Sequence, residues 1–170
     1  DVETVNSIGY AHRRLGNWPE VYAAFERASQ LDPRNVNVFQ DLGGVTFDVT
    51  HRYREAAEAL SRALELAPDN VESAWSKGMV YCSWEGQLDT LRALVNRTPG
   101  MDNWNRWRLE MLEGDGEEAL ALFPSGPDSV LVSQDLVASK SLNAAWMHRI
   151  RGDERAAQAA FDSARVLLEG

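Results

Sequence analysis

Apolar and polar positions along this chain recur with a helical period. Val5, Ile8, Gly9, His12 and Leu15 follow one another at spacings of three and four, so they share one face of a helix that Gly16-Asn17 interrupts. A second stripe at Val21, Ala24, Phe25, Ala28 and Leu31 closes at Asp32-Pro33, because a proline supplies no amide to continue the helical hydrogen bonds. Two helices and a tight turn make a hairpin. The scheme then repeats. Phe39, Leu42, Gly43 and Phe47 mark one helix, and Tyr53, Ala56, Leu60, Ala63 and Leu66 mark the next, which ends at Ala67-Pro68. Pro33 and Pro68 lie thirty-five residues apart, and the turn at Gly86 in a third unit that opens at Trp75 lies seventy after Gly16. A fixed period of this length is the mark of a stacked helical array.

Two departures from the period stand out. The second unit carries one extra residue around Asp48 to His51, and the third ends early at Thr98-Pro99-Gly100, which shortens its second helix by about a turn. A fourth, less regular unit runs from Trp104 through Trp107 and Met111 to a turn at Gly114-Asp115-Gly116 and a short helix from Glu117 to Phe123. Pro124 to Gln134, with two prolines and a glycine, reads as a loop. Ser141, Ala144-Ala145 and His148 then take first-helix positions before Gly152-Asp153, and Ala157, Ala160, Phe161, Ala164 and Leu168 line a final helix. The expected hairpins span residues 2–33, 36–68, 71–98, 102–123 and 135–168 of a single domain over 1–170. The start at Asp1, and a last helix without a fully polar outer face, read as a piece of a longer protein.

The ordered positions Val5, Ile8-Gly9, His12, Gly16, Trp18, Val21, Phe25, Ala28 and Pro33 resemble the tetratricopeptide repeat. That pattern runs large residue, Leu-Gly, aromatic, Gly, aromatic, Ala, aromatic, Ala, Pro. The resemblance covers nearly the whole chain, strongly at residues 5–95 and 138–168. It implies an all-α fold, a right-handed superhelix of about five antiparallel helical hairpins, in which small residues let helices approach and neighbouring hairpins complete one core. The stretch Gly152 to Arg165 also looks like arrays of bacterial multidomain signalling proteins, such as nucleotide cyclases, kinases and transcription regulators.

The formal net charge of −9 argues against general affinity for nucleic acid or an anionic membrane, which require an excess of Lys and Arg. Cys82 is the single cysteine, so no internal disulfide supports the fold. With no signal-peptide pattern and no apolar run of membrane-spanning length, a cytoplasmic location is expected. His12, His51 and His148 fall at structural positions without metal-ligand spacing, and no phosphate-binding glycine loop or nucleophile elbow occurs. Neither a catalytic residue, a metal nor a cofactor is expected. The acidic run Glu113 to Glu118 departs from a calcium-loop spacing and suits a hairpin turn followed by a helix N-terminus. Asn96-Arg97-Thr98 matches a glycosylation triplet, a motif common by chance.

Candidate chemistry therefore lies in protein recognition. Among the six tryptophans, Trp18, Trp75, Trp104 and Trp107 are expected in the core, while Trp84 and Trp146 serve either ligand contact or packing. The first helices of the resembled family line a concave groove. Carried over to this chain, that groove holds Tyr10, Arg13, Asp41, Lys77, Trp84, Arg106, Leu109, Trp146 and Arg149. Aromatic and arginine side chains are the common anchors of interfaces. The carboxylate clamp of chaperone-binding members is mostly missing: Asn6, Tyr10, Asp41, Ser73 and Lys77 occupy its places, and only Lys77 keeps the charge. The leading expectation is a module that binds a protein or peptide segment in this groove. Self-association as a homodimer is the alternative, a small-molecule sensor ranks lower, and an enzyme built around Asp41, Lys77 or His148 ranks last.

Overall fold

A computed structural model describes residues 1–126, 129–132 and 137–169, and all statements below concern these. Ten α-helices are present among them, paired in sequence as antiparallel hairpins. The first three hairpins are α1 (Val2–Leu15) with α2 (Trp18–Leu31), α3 (Val36–Val45) with α4 (Tyr53–Leu66), and α5 (Val71–Glu85) with α6 (Asp89–Arg97). The last two are α7 (Asn103–Glu113) with α8 (Gly116–Ala121), and α9 (Lys140–Ile150) with α10 (Glu154–Glu169). This is the expected all-α array of helical hairpins. The residues group into two compact units, Asp1–Met101 and Asp102–Gly170, and each is treated by itself.

Local chemistry explains the boundaries. Asn35, Asn70 and Asp102 cap α3, α5 and α7, each accepting an amide hydrogen bond from the residue three positions on. Gly16 ends α1 with φ of 74°, a left-handed conformation in which its N–H and that of Asn17 bond back to Arg13 and His12 carbonyls. Asp115, within the acidic run, caps α8 by accepting from the Glu118 amide at 3.0 Å. In the first unit Val21, Phe25, Ala28, Ala56, Leu60 and Ala63 of the faces read above are buried, joined by Leu91 of α6, while Ile8, Leu15 and Leu31 of those faces are exposed.

The extra residue of the second hairpin has a specific home. Directly after α3 the chain widens into one turn of π-helix at Thr46–Thr50, which absorbs the added residue without breaking the helical path. Thr46 Oγ1 donates to the Leu42 carbonyl at 2.6 Å and Thr50 Oγ1 to the Thr46 carbonyl at 2.7 Å, so hydroxyls occupy one carbonyl before the widened turn and one at its start. His51 then reverses the chain with φ of 52°.

The second compact unit departs from the sequence reading. The expected loop contains strand β1 (Val130–Val132), which pairs antiparallel with β2 (Val137–Ser139) in the register Val130↔Ser139, Leu131↔Ala138, Val132↔Val137. The fifth hairpin's first helix therefore begins at Lys140, after a strand, rather than at 135. Leu131 and Ala138 point inward against Trp104, Trp107 and Phe123, while the opposed Val132 and Val137 stay exposed. Short strands with one buried face follow the alternation of side chains across a strand. Gln134 and the start of that hairpin at 135, like the Leu168 side chain, lie outside the described residues.

Candidate interaction site

In the first unit, α1, α3 and α5 line a cleft of about 170 Å³. Its walls include Arg13 and Trp18 from the first hairpin, Asp41 and Gly44 from α3, Asp48 and Val49 from the widened turn, and Glu72 and Ser76 from α5. Gly44 leaves open space where a side chain would stand, with no atom within 4 Å of an added Cβ. The π-turn brings Asp48 and Val49 into the lining, so the inserted residue shapes the site.

Tyr10 Oη donates a short hydrogen bond to Asp41 Oδ2 and ties α1 to α3 at the edge of this cleft. The Tyr10 ring also meets Phe25 edge-on, with centroids 5.4 Å apart. Burial and the acceptor carboxylate push the Tyr10 phenol up to about 12. Burial raises the Asp41 carboxyl, and Glu72 adds to that rise, while the Tyr10 hydrogen bond and nearby Arg13 oppose it. Asp48 and Glu72 make no ion pair among the described residues, and both are exposed. Adjoining this cleft, a second and more open one is lined by Ser7, Tyr10, Ala11, Arg13, Arg14 and Trp18, and its lining holds no carboxylate among the described residues. Arg13 and Trp18 belong to both.

Several expected residues sit elsewhere than the sequence suggested. Trp18, expected in the core, is 40% exposed and stands between the two clefts. Trp75 and Trp104 are buried as expected, and Trp107 is half-buried. Lys77 is half-buried and lies outside the lining of either cleft. Burial and the like charge of Arg97 on α6 lower its pKa, against a smaller opposing pull from Glu65 of α4. Trp84 is 41% exposed and stacks on Tyr81 with centroids 6.0 Å apart, so it both packs and presents a face.

In the second unit, Leu109 is only 3% exposed and belongs to the interior, a correction to its reading as a groove residue. Its position repeats that of Tyr10, which is 40% exposed, so the same repeat position is buried in one unit and exposed in another. Trp146 is 48% exposed, meets Phe161 edge-on at 5.5 Å, and has the Arg149 guanidinium 5.9 Å from its ring centroid. Arg106 is half-buried. Asp48, Glu72, Gln40, Gly44 and Ser76 are cleft residues the sequence reading missed. The one signal that pointed there was the extra residue near Asp48.

No family model matches the chain, and no curated protein matches it in sequence. Solved structures do match. A thermophilic TPR protein of Thermus thermophilus superposes with a TM-score of 0.66 at 14% identity, covering 96% of this chain and 90% of its own. This chain has the tetratricopeptide fold. The same fold is matched by PilW, a widely conserved type IV pilus biogenesis factor, at a TM-score of 0.70 and 16% identity over 99% of this chain and 78% of that one. MamA matches at 0.65 and 15% identity over 99% and 92%. At such identities the likeness is one of fold. In the tetratricopeptide frame Gly9, Gly43 and Gly78 are equivalent, each facing a buried side chain of its partner helix: Phe25, Leu60 and Leu91. Among the described residues no helix is long and apolar enough to cross a membrane.

Proposed function

We propose that this protein is an interaction module whose first-helix face in residues 1–101 receives a segment of another protein, as the regulatory or scaffolding part of a larger polypeptide. One observation carries the reading: three successive first helices converge on a concave cleft whose Asp48 and Glu72 make no ion pair among the described residues and stand beside an exposed tryptophan. Charged groups without an ion pair among the described residues, beside an exposed tryptophan, suit a protein ligand, because arginine, tryptophan and tyrosine bury large area at low entropic cost. Trp84 joins that surface through its exposed ring, and Trp146 with Arg149 offers a comparable aromatic and basic pair in residues 102–170. The reading assigns no chemistry to Asp41, Lys77 or His148, and it takes the module to work in the cytoplasm within a bacterial signalling protein.

The test is panning of a displayed library of random linear peptides against the purified chain, followed by affinity measurement of enriched sequences on the wild type and on Trp18→Ala. Enrichment of a consensus that Trp18→Ala loses, with helical content unchanged by circular dichroism, supports the module. No enrichment, or peptides indifferent to Trp18→Ala and to every substitution on α1, α3 and α5, refutes it.

A second reading, self-association, has its own observation: Ile8 and Leu15 lie on one face of α1 and are 47% and 72% exposed. Sedimentation velocity over a range of concentrations separates it from a monomeric binder. A sedimentation coefficient that stays at the monomer value across the range rules it out.

A further inference from the structure

The two clefts of the first unit differ in charge, and they share a wall. The cleft between α1, α3 and α5 carries Asp41, Asp48 and Glu72 against the single cation Arg13 among its described lining residues. The neighbouring cleft carries Arg13 and Arg14 with no carboxylate among the described residues. Trp18 stands in the lining of both, exposed, with its indole as a flat apolar partition. A negative hollow and a positive ledge on either side of one aromatic ring form a polar axis, and a ligand must match it in direction as well as in sign.

We propose that the segment bound here is bipolar: a Lys or Arg side chain enters the acidic cleft toward Asp48 and Glu72, an Asp or Glu of the same segment lies on Arg13 and Arg14, and the intervening chain packs on Trp18. The proposal rests on the reading of this face as a protein-binding surface. Charge complementarity selects the occupant. Among the described residues, Asp41 has a side-chain partner in Tyr10, whereas Asp48 and Glu72 make no ion pair and are left to accept from an incoming cation. A long cationic side chain also lays its methylenes along an indole while its charged head reaches the acids. A uniformly acidic peptide would meet three carboxylates, and a uniformly basic one would set its second charge against two arginines. The bipolar order satisfies both ends. Gly44 adds room in the cleft, since its place in the lining holds no side chain.

The experiment uses the same displayed peptide library on the whole chain, with two charge variants beside it. The double variant Asp48→Asn, Glu72→Gln alters exposed side chains and preserves their shape; Arg13→Glu, Arg14→Glu reverses the ledge. The expected wild-type consensus places a basic residue within a few positions of an acidic one. Binding of such a peptide should weaken about tenfold in the first variant, the loss of charged hydrogen bonds worth about 1.4 kcal/mol. Panning on the ledge variant should drop the acidic residue from the consensus and keep the basic one. Affinity should also fall as salt rises. A wild-type consensus without a basic residue, or one whose peptides bind the Asn/Gln variant equally, overturns the bipolar proposal while leaving the interaction module standing. An empty library overturns both.

Discussion

Gly43 and Gly44 are adjacent in α3, yet replacing each by alanine should move stability in opposite directions. A Cβ on Gly43 would lie 2.5 Å from Leu60 Cγ and 2.9 Å from its Cδ2, with the Ala56 carbonyl oxygen at 3.3 Å. Leu60 is fully buried, and the nearest atom is its branch point, so the side chain cannot swing away without disturbing the core. Forcing a methyl group into such a contact costs about 1–3 kcal/mol. Against this stands the roughly 1 kcal/mol that alanine gains over glycine inside a helix. The clash is severe enough to take the upper part of that range, so Gly43→Ala should lose about 1–2 kcal/mol net. Gly44 has open space where its Cβ would be, and the same propensity term acts there alone. Gly44→Ala should therefore gain up to about 1 kcal/mol. Thermal denaturation followed by far-ultraviolet circular dichroism measures both. At this chain length 1 kcal/mol moves the midpoint by about 2–4 °C, so the two variants should straddle the wild type. Gly78→Ala provides an internal check: its Cβ would meet the Leu91 Cα at 2.8 Å, a backbone atom no rotamer change can clear, and its loss should equal or exceed that of Gly43→Ala. Equal shifts for the neighbouring glycines, or a stabilised Gly43→Ala, would refute the close-approach argument.

Other consequences are as direct. Leu109→Ala should cost about 2–4 kcal/mol in urea unfolding, as a buried leucine does, whereas Trp146→Ala on the exposed face should cost far less. Asn70→Ala removes the cap that accepts from the Ser73 amide at 2.8 Å and should lower stability by about 1 kcal/mol, with Asn70→Asp retaining most of it. The raised Asp41 carboxyl binds its proton more tightly when folded, so its contribution is complete below the ordinary value of 3.8 and is lost as pH rises through the folded value. Asp41→Asn should accordingly flatten the stability profile over that acidic interval, and an unchanged slope in pH-dependent denaturation would contradict the assignment. On the alkaline side the Tyr10 phenol, pushed up to about 12, holds its proton while the unfolded chain ionises from its ordinary 10, so stability should fall from pH 10 toward 12. Tyr10→Phe should remove that part of the fall, measured in the same pH series.

The helices and their pairing were legible in the sequence because each rests on local chemistry. Apolar spacing of three and four places a stripe toward the neighbouring helix, Asp32-Pro33 and Ala67-Pro68 stop second helices, and Gly16 supplies the left-handed turn that a side chain would strain. The close helix approaches at Gly9, Gly43 and Gly78, which the structure shows, recur at nearly the same period. The ribbon at Val130–Val132 and Val137–Ser139 is hidden in the sequence because nearby prolines and a glycine outweigh a three-residue apolar run, and two such short strands are held by packing on Trp104 and Trp107 rather than by propensity.

The site was legible only in part. Tyr10, Arg13 and Asp41 were named by position in the repeat; Tyr10 bonds Asp41, Arg13 and Asp41 line the acidic cleft, and Tyr10 with Arg13 lines its neighbour. Position failed for Leu109, which is buried, and Lys77 lies outside the lining of both clefts, since an ideal repeat assumes equal neighbours for every unit and the fourth unit is irregular. The sequence alone determined that this chain is a set of helical hairpins, through capping, turn geometry and a periodic apolar face. Only the tertiary structure decided which polar residues share a cleft: one inserted residue, taken up as a π-turn, carries Asp48 and Val49 into a lining shared with α1 and α5. Such a convergence depends on the relative rotation of packed helices, which no local pattern encodes.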